Sequence, residues 1–266
     1  MVRADGGQVA VVVLGGVVKR DLTFICAFYL NQGMLLEQQK VWSSYAKDLQ
    51  RRFHVIVTDD GSPHHPARTV FAPAGIASQT LFRTGVDVRW NWLFCRNLGV
   101  AKATTDWVLL TDIDHVLPER TLRTVLEADL DPEKVYRFSR VDAHGPFPWP
   151  QGSLTPYKPH PNTWMMTRAM FDRIGGYDER FSGYYGSDSE FRERVQTSAR
   201  SVVMLPDPLV RYPREIIPDA STTTYERKAQ EDGINVPRIK AERAQVKHWV
   251  PLRVTFPYTL EAQCSA

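Results

Sequence analysis

The first part of the chain alternates short apolar segments with segments that have helical periodicity, and few folds accommodate that order. Three apolar segments rich in β-branched or aromatic residues predict buried strands, namely Leu22–Phe28, Phe53–Thr58 and Trp107–Thr111. Helices are predicted between them at Leu35–Leu49 and Asn91–Ala103. Strands that alternate with helices indicate an α/β fold with a mostly parallel sheet flanked by helices.

Two pairs of acidic residues directly follow predicted strands. Asp59 and Asp60 follow the second strand, and Asp112 and Asp114, with one residue between them, follow the third. Ligands of parallel sheets bind at the carboxyl ends of the strands. Carboxylate oxygens suit Mg²⁺ or Mn²⁺, which commonly share their coordination with substrate phosphates, and a carboxylate can also accept a hydrogen bond from a pyrimidine ring. The alternative interpretation of each pair is an ordinary solvated turn.

The second half of the chain is less regular and carries a further acidic segment. Six prolines between His144 and Pro161 exclude a helix interior and predict an ordered loop over a cleft. A helix predicted at Asp188–Gln196 places Asp188 in its first turn, where it is a candidate general base or an N-terminal capping residue. The other predicted elements are strands at Thr80–Arg83, Val86–Trp90, Val135–Val141, Thr163–Thr167, Val202–Leu205 and Leu209–Tyr212, and helices at Arg168–Ile174 and Thr223–Glu231.

Composition excludes several classes of protein. The 266 residues are 43% apolar and 24% charged, which is typical of a globular protein and not of a disordered chain, a coiled coil or a fibre. A net charge of +3 is too small to indicate a polyanionic partner by itself. Three cysteines provide no disulfide framework, so we expect a reducing, cytoplasmic location. We interpret Val9–Val18 as a buried strand rather than a signal peptide, and we expect no membrane anchor.

The motifs, taken in order, resemble those of a known enzyme family. The order is FYLN at 28–31, DDGS at 59–62, RNLGVA at 96–101, DID at 112–114, GGYDERF at 175–181 and GSDSEF at 186–191. It resembles the family-2 glycosyltransferases with the GT-A fold, and residues 175–194 also resemble the carboxy-terminal segment of galactosyltransferase-type members. The resemblance covers Thr23–Arg194.

The resemblance implies a Rossmann-like GT-A domain with a smaller acceptor-side subregion. We expect this domain to span residues 1–213, with the nucleotide-sugar half at 1–117 and the acceptor half at 118–213. Residues 214–266 are expected to be a C-terminal extension packed on the domain.

The resemblance also implies an activity and a set of site residues. The activity is metal-dependent transfer of a sugar, with inversion, from a nucleotide-sugar donor to a hydroxyl group, with a UDP-sugar favoured as the donor and Mn²⁺ or Mg²⁺ as the cofactor. By this resemblance, Asp59 and Asp60 match the nucleoside site, and Arg96 and Asn97 match the donor side. Asp112 and Asp114 match the DxD motif, with Asp114 as the direct metal ligand. The sugar and acceptor pocket is matched by Gly175, Gly176 and Asp178, and the general base by Asp188, with Glu190 as the alternative.

Two departures from the family pattern concern the donor and the metal. The helix-start motif of the family reads Glu-Asp, but Ser187 precedes Asp188 here. Many relatives carry a metal-binding His on a late strand, and the corresponding segment Leu209–Tyr212 has none. We therefore consider His248 or His115 as a third metal ligand, with water as the alternative.

The acceptor and the reaction class both have alternatives. The acceptor could be a glycan, a protein side chain, a small molecule or a hydroxymethylated base in DNA. Basic residues of the acceptor half could contact phosphates or form a solvated face, namely Lys158, Arg168, Arg173, Arg192 and Arg194. A sugar-1-phosphate nucleotidyltransferase shares this kind of fold, and a non-catalytic sugar- or nucleic-acid-binding module is the third hypothesis.

Overall fold

The computed structural model describes residues 20–88, 91–149, 155–183, 188–218, 232–246 and 250–266. Within these ranges nine strands form one sheet. The strands are β1 Leu22–Phe28, β2 Phe53–Asp59, β3 Ser78–Thr84, β4 Trp107–Asp112, β5 His115–Val116, β6 Lys134–Asp142, β7 Trp164–Thr167, β8 Ser201–Arg211 and β9 Tyr258–Ser265. The helices are α1 Gln32–Ser44, α2 Lys47–Gln50, α3 Trp92–Lys102, α4 Glu119–Glu127, α5 Arg168–Ile174, α6 Asp188–Ser198 and α7 Asp232–Ala244.

The sheet has the order β5-β8-β6-β7-β4-β1-β2-β3-β9. Strands β4, β1, β2 and β3 are parallel to their neighbours in this group, and β6 is parallel to β8. The remaining neighbours, β5 with β8, β6 with β7, β7 with β4 and β3 with β9, are antiparallel. The predicted α/β fold with flanking helices is confirmed, with its continuous parallel block in the half that was predicted to bind the nucleotide-sugar.

Two apolar clusters cover the two faces of the sheet. The strands β1 and β4 are buried on both sides, which explains why they read as continuous apolar runs. One cluster includes Phe24 and Trp42 and packs α1 and α4 on the sheet. The other includes Phe94 and Phe191 and packs α3, α5 and α6 on the opposite face.

Several predicted elements differ from the observed ones. The predicted helix Leu35–Leu49 is divided, because Tyr45 is extended (φ −60°, ψ 147°) and packs its ring 5.4 Å from that of Phe53. The two predicted late strands are a single strand, β8, which contains Pro206 and Pro208. Prolines are tolerated there because β5 pairs with β8 only at Val210 and Arg211, which leaves the proline positions at an edge.

Other predictions fall on residues with a different outcome. The residues 85–88 of the predicted strand Val86–Trp90 are not a strand, and 89–90 lie outside the described residues. The predicted strand Val9–Val18 and the predicted helix Thr223–Glu231 also lie outside the described residues.

The C-terminal segment contributes to the sheet. Strand β9 pairs antiparallel with β3 and forms one edge. Cys26, Cys95 and Cys264 are free thiols. None of the described helices is long and apolar enough to cross a membrane.

Candidate active site

The two predicted acidic pairs both lie at the carboxyl ends of strands in the parallel block. Phe28 of β1 pairs with Asp59 of β2, and Ala27 of β1 pairs with Asp112 of β4. Because neighbouring strands are about 4.8 Å apart, the carboxyl ends of β2 and β4 lie roughly 10 Å from each other, with β1 between them. The structure therefore brings the two pairs to one side of the parallel block.

Asp59 and Asp60 hold the loop that follows β2. The fully buried Asp59 accepts hydrogen bonds from the backbone N–H groups of Ser62 and Ala67, both at 2.8 Å. Burial raises the pKa of Asp59, and these two N–H groups partly offset the effect. Asp60 accepts a bond from the backbone N–H of Asn91 at 3.1 Å, which fixes the start of α3. The contact of this pair with a nucleoside stays a prediction.

Arg96 is buried behind Asp112 rather than exposed beside a ligand. Its side chain has no accessible surface, and its Nη2 donates to Oδ1 of Asp112. Its Nη1 donates to the carbonyl of Asn162 at 2.7 Å and to the Tyr177 hydroxyl at 3.1 Å. Burial opposes the charge, but Tyr177 and Asp112 outweigh it and raise the pKa of Arg96. Arg96 therefore orients Asp112 and compensates its charge from the protein interior.

Two histidines contact the DxD motif, one at each carboxylate, and the sequence did not indicate that they lie together. Nδ1 of the buried His115 lies 2.7 Å from Oδ1 of Asp114. The ring of His160 lies 4.6 Å from that of His115, and its Nδ1 lies 3.4 Å from Oδ2 of Asp112. Burial works against the Asp114 charge, but the adjacent His115 holds the pKa of Asp114 well below its usual range. Burial lowers the pKa of His160 to about 4, so this ring is neutral at neutral pH.

The two carboxylates of the DxD motif fit a divalent ion that also binds substrate. The side chains of Asp112 and Asp114 are 35% and 25% exposed, although Arg96 and His115 each contact one of their oxygens. Mg²⁺ and Mn²⁺ accept such oxygen ligands and complete their coordination with water and phosphate oxygens. In the described part of the chain no group of three His, Cys, Asp or Glu side chains is arranged to hold a metal ion. His248, the predicted third ligand, lies outside that part.

Asp188 and Glu190 differ strongly in their surroundings. Asp188 is the first residue of α6 and is partly exposed. Glu190 is buried, and its two oxygens accept bonds from Arg194 at 2.6 and 2.7 Å. Nη1 of Arg243 also lies 3.4 Å from Oε1 of Glu190. Because Glu190 is buried and both of its oxygens are engaged by arginines, it has a structural role, and the partly exposed Asp188 is the better candidate for the base.

The start of α6 is connected to the DxD motif through aromatic contacts. Phe191 of α6 stacks on Tyr177 with ring centroids 3.9 Å apart. The hydroxyl of Tyr177 accepts a hydrogen bond from Arg96, which in turn binds Asp112. One continuous set of side chains thus connects Asp112 with α6, the helix that begins with the predicted base Asp188.

Asn97 and the two glycines pack the GGYDERF segment against α3. The buried Asn97 accepts a bond from the Tyr177 N–H and donates to its carbonyl, both at 2.8 Å. Gly175 (φ +90°) ends α5, and a Cβ at Gly176 would lie 2.9 Å from Oδ1 of Asn97. The bonds observed for these residues are internal. Their contact with the donor or the sugar stays a prediction.

Asp178 is also internal. Its carboxylate is fully buried and binds the Arg180 guanidinium at 2.8 Å through both oxygens. Its predicted role in the sugar pocket therefore also stays a prediction.

Neither a protein-family model nor a curated protein matches the sequence, but solved structures do. Mannosyltransferase PcManGT from Pyrobaculum calidifontis, in complex with GDP-Man and Mn²⁺, is 16% identical, with 88% of this chain and 66% of that chain covered and a TM-score of 0.52. S. aureus TarS 1-349 in complex with UDP-GlcNAc is 15% identical, with 86% of this chain and 68% of that chain covered and a TM-score of 0.56. GalNAc-T7 with UDP, GalNAc and Mn²⁺ is 13% identical, with 74% and 44% covered and a TM-score of 0.54.

The fold is that of the GT-A glycosyltransferases. Identities of 13–16% establish this fold and nothing finer. The chain spans 40–68% of the length of the matched chains. Membership of family 2 and the galactosyltransferase-like segment stay predictions.

Proposed function

We propose that this protein is a metal-dependent, inverting glycosyltransferase that moves a sugar from a nucleotide-sugar, with a UDP-sugar favoured, to a hydroxyl acceptor. The observation that supports the proposal best is the state of Asp112 and Asp114. Both carboxylates are partly exposed at the carboxyl end of β4, and Arg96 and His115 orient them from the interior. The matched fold supports the same reading, because the similar structures contain GDP-Man with Mn²⁺, UDP-GlcNAc, and UDP with GalNAc and Mn²⁺.

The candidate residues have separate roles in the proposed reaction. Asp59 and Asp60 shape the loop at the nucleoside end, and Asp112 and Asp114 are the residues that would hold the ion. A bound Mn²⁺ or Mg²⁺ would neutralise charge on the departing nucleoside diphosphate. Asp188 would accept the proton of the attacking hydroxyl group, and attack from the side opposite the leaving group gives inversion.

The partial exposure of Asp188 sets a condition on the reaction. Proton transfer to Asp188 requires a closed, water-poor site in which the hydroxyl group is held against the carboxylate.

Donor binding provides the first test. Thermal unfolding of the full chain is measured with a panel of nucleotide-sugars that includes UDP-GlcNAc, a UDP-hexose and GDP-Man, with and without Mn²⁺. We expect at least one donor to raise the unfolding temperature only when Mn²⁺ is present, because binding to the native state stabilises it. Asp114→Asn removes a ligand charge and should abolish this shift. Asp106→Asn is the matched control, because Asp106 is 90% exposed at the opposite end of β4.

Asp188 is then tested on the chemical step with the stabilising donor. Asp188→Asn should keep the metal-dependent shift but lower sugar transfer, or donor hydrolysis where water is the acceptor, by about 100-fold or more. A shift that is independent of Mn²⁺, or that survives in Asp114→Asn, would contradict the metal assignment. Normal turnover of Asp188→Asn would remove it as the base.

A further inference from the structure

Most arginines of the acceptor half have a carboxylate partner, and three do not. Residues 118–213 contain eleven arginines. Eight of them form an ion pair with Asp or Glu, namely Arg120, Arg123, Arg168, Arg173, Arg180, Arg194, Arg200 and Arg211. Within the described ranges no ion pair is formed by Arg137, Arg140 or Arg192. Arg137 and Arg140 lie three residues apart on β6, and Arg192 lies on α6, which packs on one face of the sheet. We call these three residues the arginine cluster.

Arg137 of β6 is half-buried, and its contacts among the described residues are with neutral groups. Its Nη2 donates to the backbone carbonyl of His160, and its guanidinium lies 4.3 Å from the centre of the Trp164 ring. Its Nε is buried and has no hydrogen-bond partner among the described residues. The pKa of Arg137 is lowered, first by burial and then by the charges of Arg192 and Arg140. This guanidinium is therefore desolvated and repelled by its neighbours.

Arg140 repeats this arrangement further along the same strand. It is 8% exposed, its Nε donates to the Lys158 carbonyl at 3.0 Å, and its guanidinium lies 4.7 Å from the centre of the Tyr157 ring. The adjacent carboxylate, Asp142, accepts a bond from the Tyr157 hydroxyl at 2.5 Å and pairs with Arg211 at 3.4 Å. Arg140 is thus held by a carbonyl and an aromatic ring.

The course of β6 places both arginines on the side of the sheet that α6 covers. The register with β8 shifts between Phe138 and Arg140. On either side of the shift, Phe138 and Val141 pack into the same apolar cluster. Arg137 and Arg140 consequently both face the other side, where α6 carries the exposed Arg192. Strand β6 and helix α6 therefore carry these three positive charges on the same side of the sheet.

Like charges that are buried without a counter-ion cost free energy, and a bound anion removes that cost. Planar guanidinium groups bind phosphate or carboxylate through paired hydrogen bonds. The sheet order is β6-β7-β4-β1-β2, so the cluster and the loop that carries Asp60 lie on opposite sides of Asp112. An anion at the cluster therefore lies away from the nucleoside end, on the side left for the acceptor.

We propose that Arg137, Arg140 and Arg192 bind a phosphate or carboxylate group of the acceptor, so that the substrate is an anionic molecule carrying the hydroxyl group to be glycosylated. The assignment of the anion to the acceptor rests on the proposed function, but the anion site itself does not. Of the basic residues singled out by sequence, Arg192 belongs to the cluster and Lys158 contributes its backbone carbonyl to Arg140. The others, Arg168, Arg173 and Arg194, pair with carboxylates of this chain.

Inorganic phosphate is the probe for the site. Its affinity for the full chain is measured by calorimetric titration at constant ionic strength, since salt alone screens exposed charges. Arg137→Gln and Arg140→Gln should each weaken phosphate binding about tenfold or more, and the exposed Arg192→Gln, which does not threaten folding, should weaken it severalfold. Arg173→Gln removes the same charge from an exposed pair with Glu133 and should leave the affinity unchanged. Equal phosphate affinity in the wild type and in Arg192→Gln and Arg137→Gln would overturn the proposal.

A second arm separates the two sources of phosphate chemistry. The titration is repeated with saturating UDP and Mg²⁺, which occupy the donor site of the proposed function. Phosphate that still binds, with the same loss in Arg137→Gln, supports an acceptor site. Phosphate that is displaced by UDP and Mg²⁺ would show that the cluster serves the donor diphosphate and would overturn the acceptor assignment. Phosphate binding in a chain that binds no nucleotide-sugar would refute the proposed function and leave the anion site standing.

Discussion

Arg96 shows how much one buried side chain determines at this site. It joins Asp112, Asn162 and Tyr177, and its guanidinium also lies 4.6 Å from the centre of the Trp92 ring. Without it, a carboxylate at the end of β4 would lose its orientation and a buried tyrosine hydroxyl would lose its donor. The residue thus acts on the reaction by positioning Asp112.

We therefore expect Arg96→Met to reduce both stability and metal-dependent donor binding. Removal of one partner of a buried ion pair costs about 3–5 kcal/mol, and the partial exposure of Asp112 places this case at about 3 kcal/mol. Urea unfolding measures the free energy change, with Arg173→Gln, an exposed pair, as a control worth about 0–1 kcal/mol. A stability change no larger than that of the control would show that Arg96 does not hold Asp112.

At the residue scale, sequence predicted the positions of the acidic residues better than their environments. Asp112 and Asp114 were placed because they follow an apolar run. Arg96 was interpreted as a cation facing a ligand, although it lies three residues after Leu93 and four before Val100, which is the spacing of a buried helix face. His160 was not found, since a histidine in a proline-rich loop has no periodicity that relates it to a distant Asp.

At the scale of single elements, α3 is positioned by a close approach to β1. Gly99 faces Ile25, and a Cβ on Gly99 would lie 2.3 Å from Cγ2 of Ile25. Only glycine allows the helix to lie this near the strand. That distance in turn places Arg96, one turn earlier, within reach of Asp112.

Gly99→Ala should accordingly destabilise the protein, although alanine is the better helix former. Overpacking typically costs about 1–3 kcal/mol, which exceeds the gain of about 1 kcal/mol in helix propensity. Gly145→Ala is the matched control, because nothing lies within 4 Å of a Cβ there. In thermal unfolding, Gly99→Ala combined with Ile25→Ala should lose less than the sum of the two single variants. Strict additivity would show that the close approach is not what makes Gly99→Ala costly.

Elements were predictable where they are buried and regular. The bounds of β1 and α5 agree with those predicted. A continuous apolar run marks β1, and the capping residues Thr167 and Gly175 flank the seven residues of α5. The short β5 was not predicted because two buried residues are too few to form a pattern, and the edge strand β9 was not predicted because it is largely exposed and lacks a strong apolar pattern. The single strand β8 was predicted as two strands separated by its prolines, because the sequence does not reveal that the side of β8 facing away from β6 is unpaired there.

At the scale of the whole molecule, the C-terminal segment is tied to the GGYDERF segment as well as to the sheet. Glu179 is buried and accepts bonds from the N–H groups of Val254 and Thr255 and from the Thr255 hydroxyl. Asn97 donates to the same carboxylate at 2.7 Å. The segment before β9 is therefore fastened to α3 through one carboxylate.

Glu179→Ala should loosen that segment without disturbing the parallel block. Unsatisfied buried donors cost about 1–3 kcal/mol each, and the loss should appear as faster amide hydrogen exchange at Val254 and Thr255. Exchange in β1 should stay slow, and Glu133→Ala, which removes an exposed carboxylate paired with Arg173, should leave both regions unchanged. Unaltered protection at Thr255 would exclude Glu179 as the fastening.

The central claim is that Asp112 and Asp114 hold a divalent ion together with the diphosphate of a nucleotide. The most direct measurement is the electron paramagnetic resonance signal of free Mn²⁺ titrated with the full chain, with and without UDP. UDP should enhance Mn²⁺ binding to the wild type and to Asp106→Asn beyond the binding by UDP alone, and Asp114→Asn should abolish that enhancement. The same UDP-dependent binding in all three proteins would contradict the account.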